Sequence, residues 1–300
     1  MRTLYTLFLI FLLCTTAHAE QMHDDVGTTF FFEKPYTRII SLYAAHTENL
    51  FNLKADDQII GVSKTEDYPS HALEKPTFGT RDGVEKFLAA KPDLILIRPM
   101  QRRGYPKLWA ALERNGIRVL ALQPNTIDDM YGYWRKLGRL TGREMESERM
   151  VEEFKERLVF CRQRLERLPK QERPGVFFES IHRKLSTFSP GSMPIFVMEM
   201  AGGRNVAADA RPRHDTNIAS YGLERLLSKS AQIDVYLAQY GPMNKIEIKR
   251  IMNGPAASRI KAVRDRNVFL VDEHIVARPT MRLLTGIEVI HRLLHPTGNH

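Results

Sequence analysis

The chain is 300 residues long and poor in several things that define whole protein classes. It has two cysteines, Cys14 and Cys161, too few for a disulfide scaffold. Its 18 Gly and 16 Pro are far below fibrous or collagen-like proportions. A mean hydropathy of -0.32 excludes a multi-pass membrane protein. There is no GxxxxGK[ST] or GxGxxG loop for cradling phosphates, no HExxH and no GxSxG elbow. The ten histidines are scattered, and their spacing points to no metal site. What remains is 43% hydrophobic and 26% charged, the balance of a folded globular protein that buries a substantial core.

The charge is basic, +9 with a pI near 9.5, but Lys and Arg are spread along the chain without a dense run. That pattern describes a solvated basic surface with local anion sites and speaks against nucleic acid as partner. The first residues explain the rest. Arg2 precedes an apolar run over residues 4–14, and Ala17-His18-Ala19 places small residues where a signal peptidase reads. Residues 1–19 are therefore expected to be a signal peptide removed before Glu20. The 11-residue run is too short to span about 30 Å of hydrocarbon. The expected mature protein is exported and soluble, keeps only Cys161, and draws its stability from packing.

Along the chain, short β-rich apolar runs alternate with helical patterns. Runs at 38–43, 59–63, 94–97 and 118–122 are interleaved with helical stretches at 46–53, 83–90 and 105–115. This predicts a parallel sheet covered on both faces. Thr126 followed by Asp129 predicts a capping box that opens a helix ending near Gly142. In 144–168, Val151, Phe154, Leu158, Cys161, Leu165 and Leu168 recur at steps of three and four, which predicts one amphipathic helix about 38 Å long. A dimerising coiled coil is the alternative reading of that stripe. Cys161 falls on the apolar stripe and reads as a packed thiol. After Pro174 the α/β alternation resumes, with strands at 175–180, 233–238 and 268–271 and a closing helix at 280–294. The segment 83–88 matches 222–227 at an offset of 139 residues, and each leads into an apolar strand. The expected architecture is α/β, two Rossmann-like lobes with parallel-rich sheets, over residues 20–142 and 170–300, joined by one long rigid helix at 143–169. Residues 20–36 carry no structural assignment.

Open α/β sheets bind ligands beyond the carboxyl ends of their strands. Aromatic and basic side chains gather there in both halves: Tyr43, His46, Tyr68, Arg81, Arg98 and Met100 in the first, Arg211, Arg213, Tyr240, His274 and Arg278 in the second. Arginine's planar fork pairs with carboxylate or phosphate, and tyrosine adds stacking area and a hydroxyl. These eleven are the candidate ligand-binding residues. Triads assemble in space rather than in sequence, so an exported hydrolase using the same edge is the competing class.

The segments 38–42, Thr47-Glu48, 60–63 and Asp67-Tyr68-Pro69, then 91–95 (KPDLI), and the close from 278–282 through Gly286 to His295-Pro296, together resemble the class III periplasmic binding proteins of ABC transporters. That family carries cobalamin, iron–siderophore complexes and haem. The resemblance implies two lobes on a rigid helix with the ligand in the cleft between them, a monomer that docks on a two-fold symmetric ABC permease, and no catalysis. It further implies one docking carboxylate per lobe, matched here by Glu85 and its repeat partner Glu224. No cofactor or resident metal is implied. The cargo is a small-molecule metal chelate, with a ferric siderophore-type complex placed first and cobalamin or haem second. The expected location is the periplasm.

Overall fold

The computed structural model describes residues 20–212, 216–255 and 257–296. The expected signal peptide at 1–19 and the candidate Arg213 lie outside the described residues. The chain opens with an antiparallel hairpin, β1 (Glu20–His23) and β2 (Thr29–Phe32), in the stretch that sequence patterning left unassigned. Its turn is held by Asp24, whose carboxylate accepts from the backbone N–H groups of Val26 and Thr28 at 3.1 and 2.8 Å and from that of Ala121 at 3.2 Å. Buried Met22 and Phe30 press the hairpin onto the first lobe.

That lobe is a five-stranded parallel sheet in the order β5 (Thr77–Phe78), β4 (Ile59–Ser63), β3 (Ile39–Ser41), β6 (Leu94–Ile97), β7 (Arg118–Ala121). All four residues of β6 are buried, as expected for a strand covered on both faces. The layers are α1 (Ala44–Asn52), α2 (Val84–Ala90), α3 (Pro99–Gly104), α4 (Pro106–Arg114) and α5 (Ile127–Thr141). The capping box that opens α5 is present: Thr126 Oγ1 accepts from the Asp129 N–H, and the Asp129 carboxylate accepts from the Thr126 N–H, both at 3.2 Å. Gly142, at φ 68°, ends the helix in the left-handed conformation that glycine adopts without steric cost.

One unbroken helix of 24 residues follows, α6 (Glu144–Arg167), about 36 Å long at 1.5 Å per residue. Its buried face is Met150, Val151, Phe154, Leu158 and Cys161, with Leu165 partly covered, so the predicted stripe is filled by the chain itself. Phe154 meets Trp134 and Tyr131 edge-on, with centroids at 5.4 and 6.0 Å. A dimer through this stripe would have to unpack it.

The second lobe has a parallel centre, β10 (Arg204–Asn205), β8 (Gly175–Ile181), β13 (Val235–Tyr240) and β14 (Val268–Asp272). An antiparallel extension the sequence did not announce runs outward from the far half of β8 through β9 (Ser186–Phe188), β12 (Ile218–Ser220) and β11 (Arg211–Pro212). The helices are α7 (Met193–Met200), α8 (Leu223–Ser228), α9 (Ile248–Met252), α10 (Lys261–Arg264), α11 (Glu273–Val276) and α12 (Leu283–Leu294). The internal repeat has a structural counterpart: α2 leads to β6 and α8 leads to β13, each a central parallel strand.

Three apolar clusters hold this together. One lies on the outer face of each sheet. The third runs from the first lobe through Phe154 and Leu158 into α7 and α12 of the second. Close-packed side chains common to both lobes resist hinge bending between them.

Candidate functional site

In the first sheet the strand order reverses between β3 and β6, the switch point at which open α/β sheets hold ligands. The residues that follow these two strands meet there. Tyr43 precedes α1 and Arg98 precedes α3, and the Arg98 guanidinium lies 4.7 Å from the Tyr43 ring centroid. Gln101 fixes the pair's loops: its side chain accepts from the Arg98 N–H at 2.7 Å and donates to the Leu42 carbonyl at 3.1 Å. Burial raises the Tyr43 hydroxyl pKa, so the group is a neutral donor in water. The loop after β4 adds Glu66, Asp67 and Tyr68.

The second lobe reaches this place through the segment after β14. Arg278 donates to Asp67 Oδ1 at 2.5 Å, and His274 Nδ1 sits 2.8 Å from Asp67 Oδ2. Arg282 grips Glu48 with both its Nε, at 3.0 Å, and an outer nitrogen, at 2.5 Å, and it covers the Tyr68 ring at 4.5 Å. The Pro279 carbonyl accepts from Asn49 at 2.9 Å and from the Trp134 indole at 3.1 Å. These bonds form a charged floor under the cleft between the lobes. Tyr43, Tyr68, Arg98, His274 and Arg278 therefore converge on one place. Tyr240 ends β13 opposite Asp272 in register, and Met100 lies in α3 beside Arg98; both are exposed. Glu66 and Glu273, near the same floor, have carboxyl pKa values raised by burial.

The remaining expectations meet different fates. His46 is no ligand contact: it is fully buried behind Tyr43, with Nδ1 at 2.6 Å from the Tyr133 hydroxyl and Nε2 at 3.2 Å from the Ile97 carbonyl. Burial depresses its pKa to about 3. A helix-start position cannot distinguish a side chain aimed at the cleft from one aimed at the core. Arg81 is exposed in the β5–α2 loop beside Tyr105, whose hydroxyl pKa falls because Thr80 and Arg81 hydrogen-bond to it. Arg211 occupies the outermost strand, three strand spacings or about 14 Å from β8 at ~4.8 Å each, apart from the converging set. Glu85 and Glu224 are both exposed, in the first turns of α2 and α8, and neither makes an ion pair among the described residues.

Sequence reasoning missed Glu48 and Arg282 as the main inter-lobe ion pair. Both lay inside quoted segments, but 234 residues separate them and nothing local signals the contact. It also missed that His291, in the last turn of α12, and His295, the residue that caps it, stand four apart. The structure gives them packing roles, with rings 4.9 Å apart and His291 Nδ1 at 3.0 Å from the Ala201 carbonyl. Among the described residues no three His, Cys, Asp or Glu converge as metal ligands. Likewise, no helix there is long and apolar enough to cross a membrane.

The chain is similar to several known proteins. The vitamin B12-binding protein of Vibrio cholerae is 26% identical over 262 residues, covering 85% of this chain and 88% of that protein. An uncharacterized ABC transporter substrate-binding lipoprotein of Bacillus subtilis is 24% identical over 267 residues, covering 88% and 82%. The crystal structure of a possible iron-binding periplasmic solute-binding protein from Staphylococcus epidermidis superposes with a TM-score of 0.75 at 26% identity, covering 87% of this chain and all of that one. Residues 39–275 match the periplasmic binding protein family as a whole, and with two sheets facing across a helix-spanned cleft, the chain belongs to that family, the substrate-binding components of ABC importers.

Proposed function

We propose that the protein captures a bulky, flat-cored metal chelate of the corrinoid type in the inter-lobe cleft, in the periplasm, and hands it to a two-fold symmetric ABC permease. The observation that carries this reading is the pairing of Asp67 with Arg278 and His274. Arg278, already neutralised by an internal carboxylate, holds no surplus charge for a polyanion, which would have to displace Asp67 at a desolvation cost. The exposed surface beside that floor is aromatic and thioether: Tyr68, Met100, Tyr240 and Met243. Such side chains cover a large neutral ring by dispersion and stacking. The V. cholerae relative that binds vitamin B12 supports the same class.

A ferric siderophore-type chelate, placed first from sequence, is the second reading. Arg98 favours it, since it has no carboxylate partner among the described residues, as does the S. epidermidis relative described as possibly iron-binding. The experiment titrates purified protein separately with cyanocobalamin, haemin and ferrichrome, following intrinsic fluorescence and visible absorption. Saturable sub-micromolar binding of cyanocobalamin without turnover is expected. Binding of ferrichrome alone reverses the order, and product formation would establish the hydrolase. Handover rests on Glu85 and Glu224, exposed and unpaired at equivalent helix starts. Replacing both by Ala should leave chelate affinity intact and abolish uptake.

A further inference from the structure

A second recess lies wholly within the second lobe, on the sheet face covered by α8 and α9. It has a volume of about 460 Å³, within the size range of small-molecule sites. Its origin is legible in the repeat. In the first lobe the gap between the two corresponding helices is filled by Phe87 and Trp109, both fully buried with ring centroids 6.5 Å apart. At the 139-residue offset these positions are Leu226 and Ile248. Ile248 is exposed, and α9 has only five residues where α4 has nine. Two aromatic rings and about a turn of helix are missing, and the recess occupies their place.

Its walls are not those of a simple packing gap. Leu226, Ile251 and Ile260 make an apolar body. Behind them Glu179, fully buried, accepts from the Tyr236 hydroxyl at 2.5 Å and lies 3.0 and 3.2 Å from His182 Nδ1. Tyr236 and His182 both line the recess, so this buried chain ends at its wall. A buried carboxylate held without Arg or Lys is costly, and here it fixes the orientation of an imidazole whose Nε2 makes no hydrogen bond within the described chain. At the mouth stand Arg183 and Arg250, both exposed and without an acidic partner among the described residues. An apolar pocket with a few convergent polar groups at one end is the form a small-ligand site takes.

We infer that this recess is a second ligand site, for an organic anion with a compact apolar body and one carboxylate-like head. The body packs on Leu226, Ile251 and Ile260, and the head meets Arg183 and Arg250 at the mouth. The site is separate from the inter-lobe cleft and does not depend on which chelate is carried.

The test uses three probes on the full mature protein by isothermal titration: octanoate, octanol with the same tail and no charge, and acetate with the charge and no tail. Octanoate should bind at one site, at least tenfold more tightly than either control. Leu226→Phe, which installs the first lobe's residue, should weaken octanoate at least tenfold, and Arg250→Glu, on an exposed side chain, should do the same should the first variant fail to fold. Both should leave chelate binding unchanged. No octanoate binding to millimolar concentration, equal binding of octanol, or binding unchanged in Arg250→Glu would each overturn the inference. So would loss of octanoate binding in Arg98→Ala, which would place the probe in the main cleft. Failed uptake in Arg250→Glu without any octanoate binding would make the recess a socket for a protein partner, and the small-molecule assignment would fall.

Discussion

The buried imidazole of His46 allows a quantitative test that separates a core role from a ligand-binding one. Its Nε2 lies 3.2 Å from the Ile97 carbonyl, an acceptor, so Nε2 carries the proton and Nδ1 accepts from the Tyr133 hydroxyl at 2.6 Å. Burial disfavours a second proton on this ring and lowers the pKa from 6.5 to about 3. The unfolded chain takes up that proton near pH 6.5 and the folded protein does not until about pH 3. The unfolded state thus binds more protons in this window, and stability must fall as the pH drops through it. Above pH 6.5 the contribution is complete. Below, it is lost at a limiting slope of about 1.4 kcal/mol per pH unit, and over the whole interval the loss approaches ~5 kcal/mol. The assay is urea unfolding of the wild type and His46→Gln at pH 7, 6, 5 and 4. At pH 7 the variant should be less stable by about 1–3 kcal/mol, because Tyr133 and the Ile97 carbonyl lose a well-placed partner. On acidification its disadvantage should shrink by about 1 kcal/mol per pH unit below pH 6, since only the wild type loses this contribution. Chelate affinity at pH 7 should be unchanged. A stability difference that stays constant from pH 7 to 4 would refute the buried neutral imidazole, and a loss of affinity at equal stability would return His46 to the cleft.

Phe154→Ala should cost about 3–5 kcal/mol in chemical denaturation, because it removes a fully buried ring from a core shared by both lobes; a cost below ~1 kcal/mol would mean that α6 does not clamp the lobes. Glu48 is 1% exposed, so Arg282→Ala should strand its carboxylate and destabilise by about 3–5 kcal/mol, while the double variant Glu48→Gln with Arg282→Ala recovers part of that loss. Arg98→Ala should weaken the carried chelate about tenfold in a fluorescence titration with little change in Tm, the size expected for a partly desolvated cation over an aromatic ring.

Local and periodic features were legible in the amino acids themselves. Apolar runs of strand length flanked by turn residues gave β6, whose four buried side chains need no partner-specific information. The three–four spacing from Val151 to Cys161 gave α6 and its buried face, and Thr126 with Asp129 and Gly142 set the two ends of α5. The repeat at an offset of 139 residues marked two similar halves. Each of these follows from interactions within about one turn or one strand. Tertiary structure alone decided which polar side chains meet. Glu48 with Arg282 and Asp67 with Arg278 join residues more than 200 positions apart, and no local pattern encodes such pairs. Tertiary structure also turned His46 inward while its neighbour Tyr43 lies partly exposed under Arg98, because the direction of a side chain at the start of α1 is set by what packs against it, here Tyr133 of α5. The antiparallel β9, β11 and β12 fall in the same group, since strands of two or three residues carry no readable period and exist only through the partner that completes their hydrogen bonds.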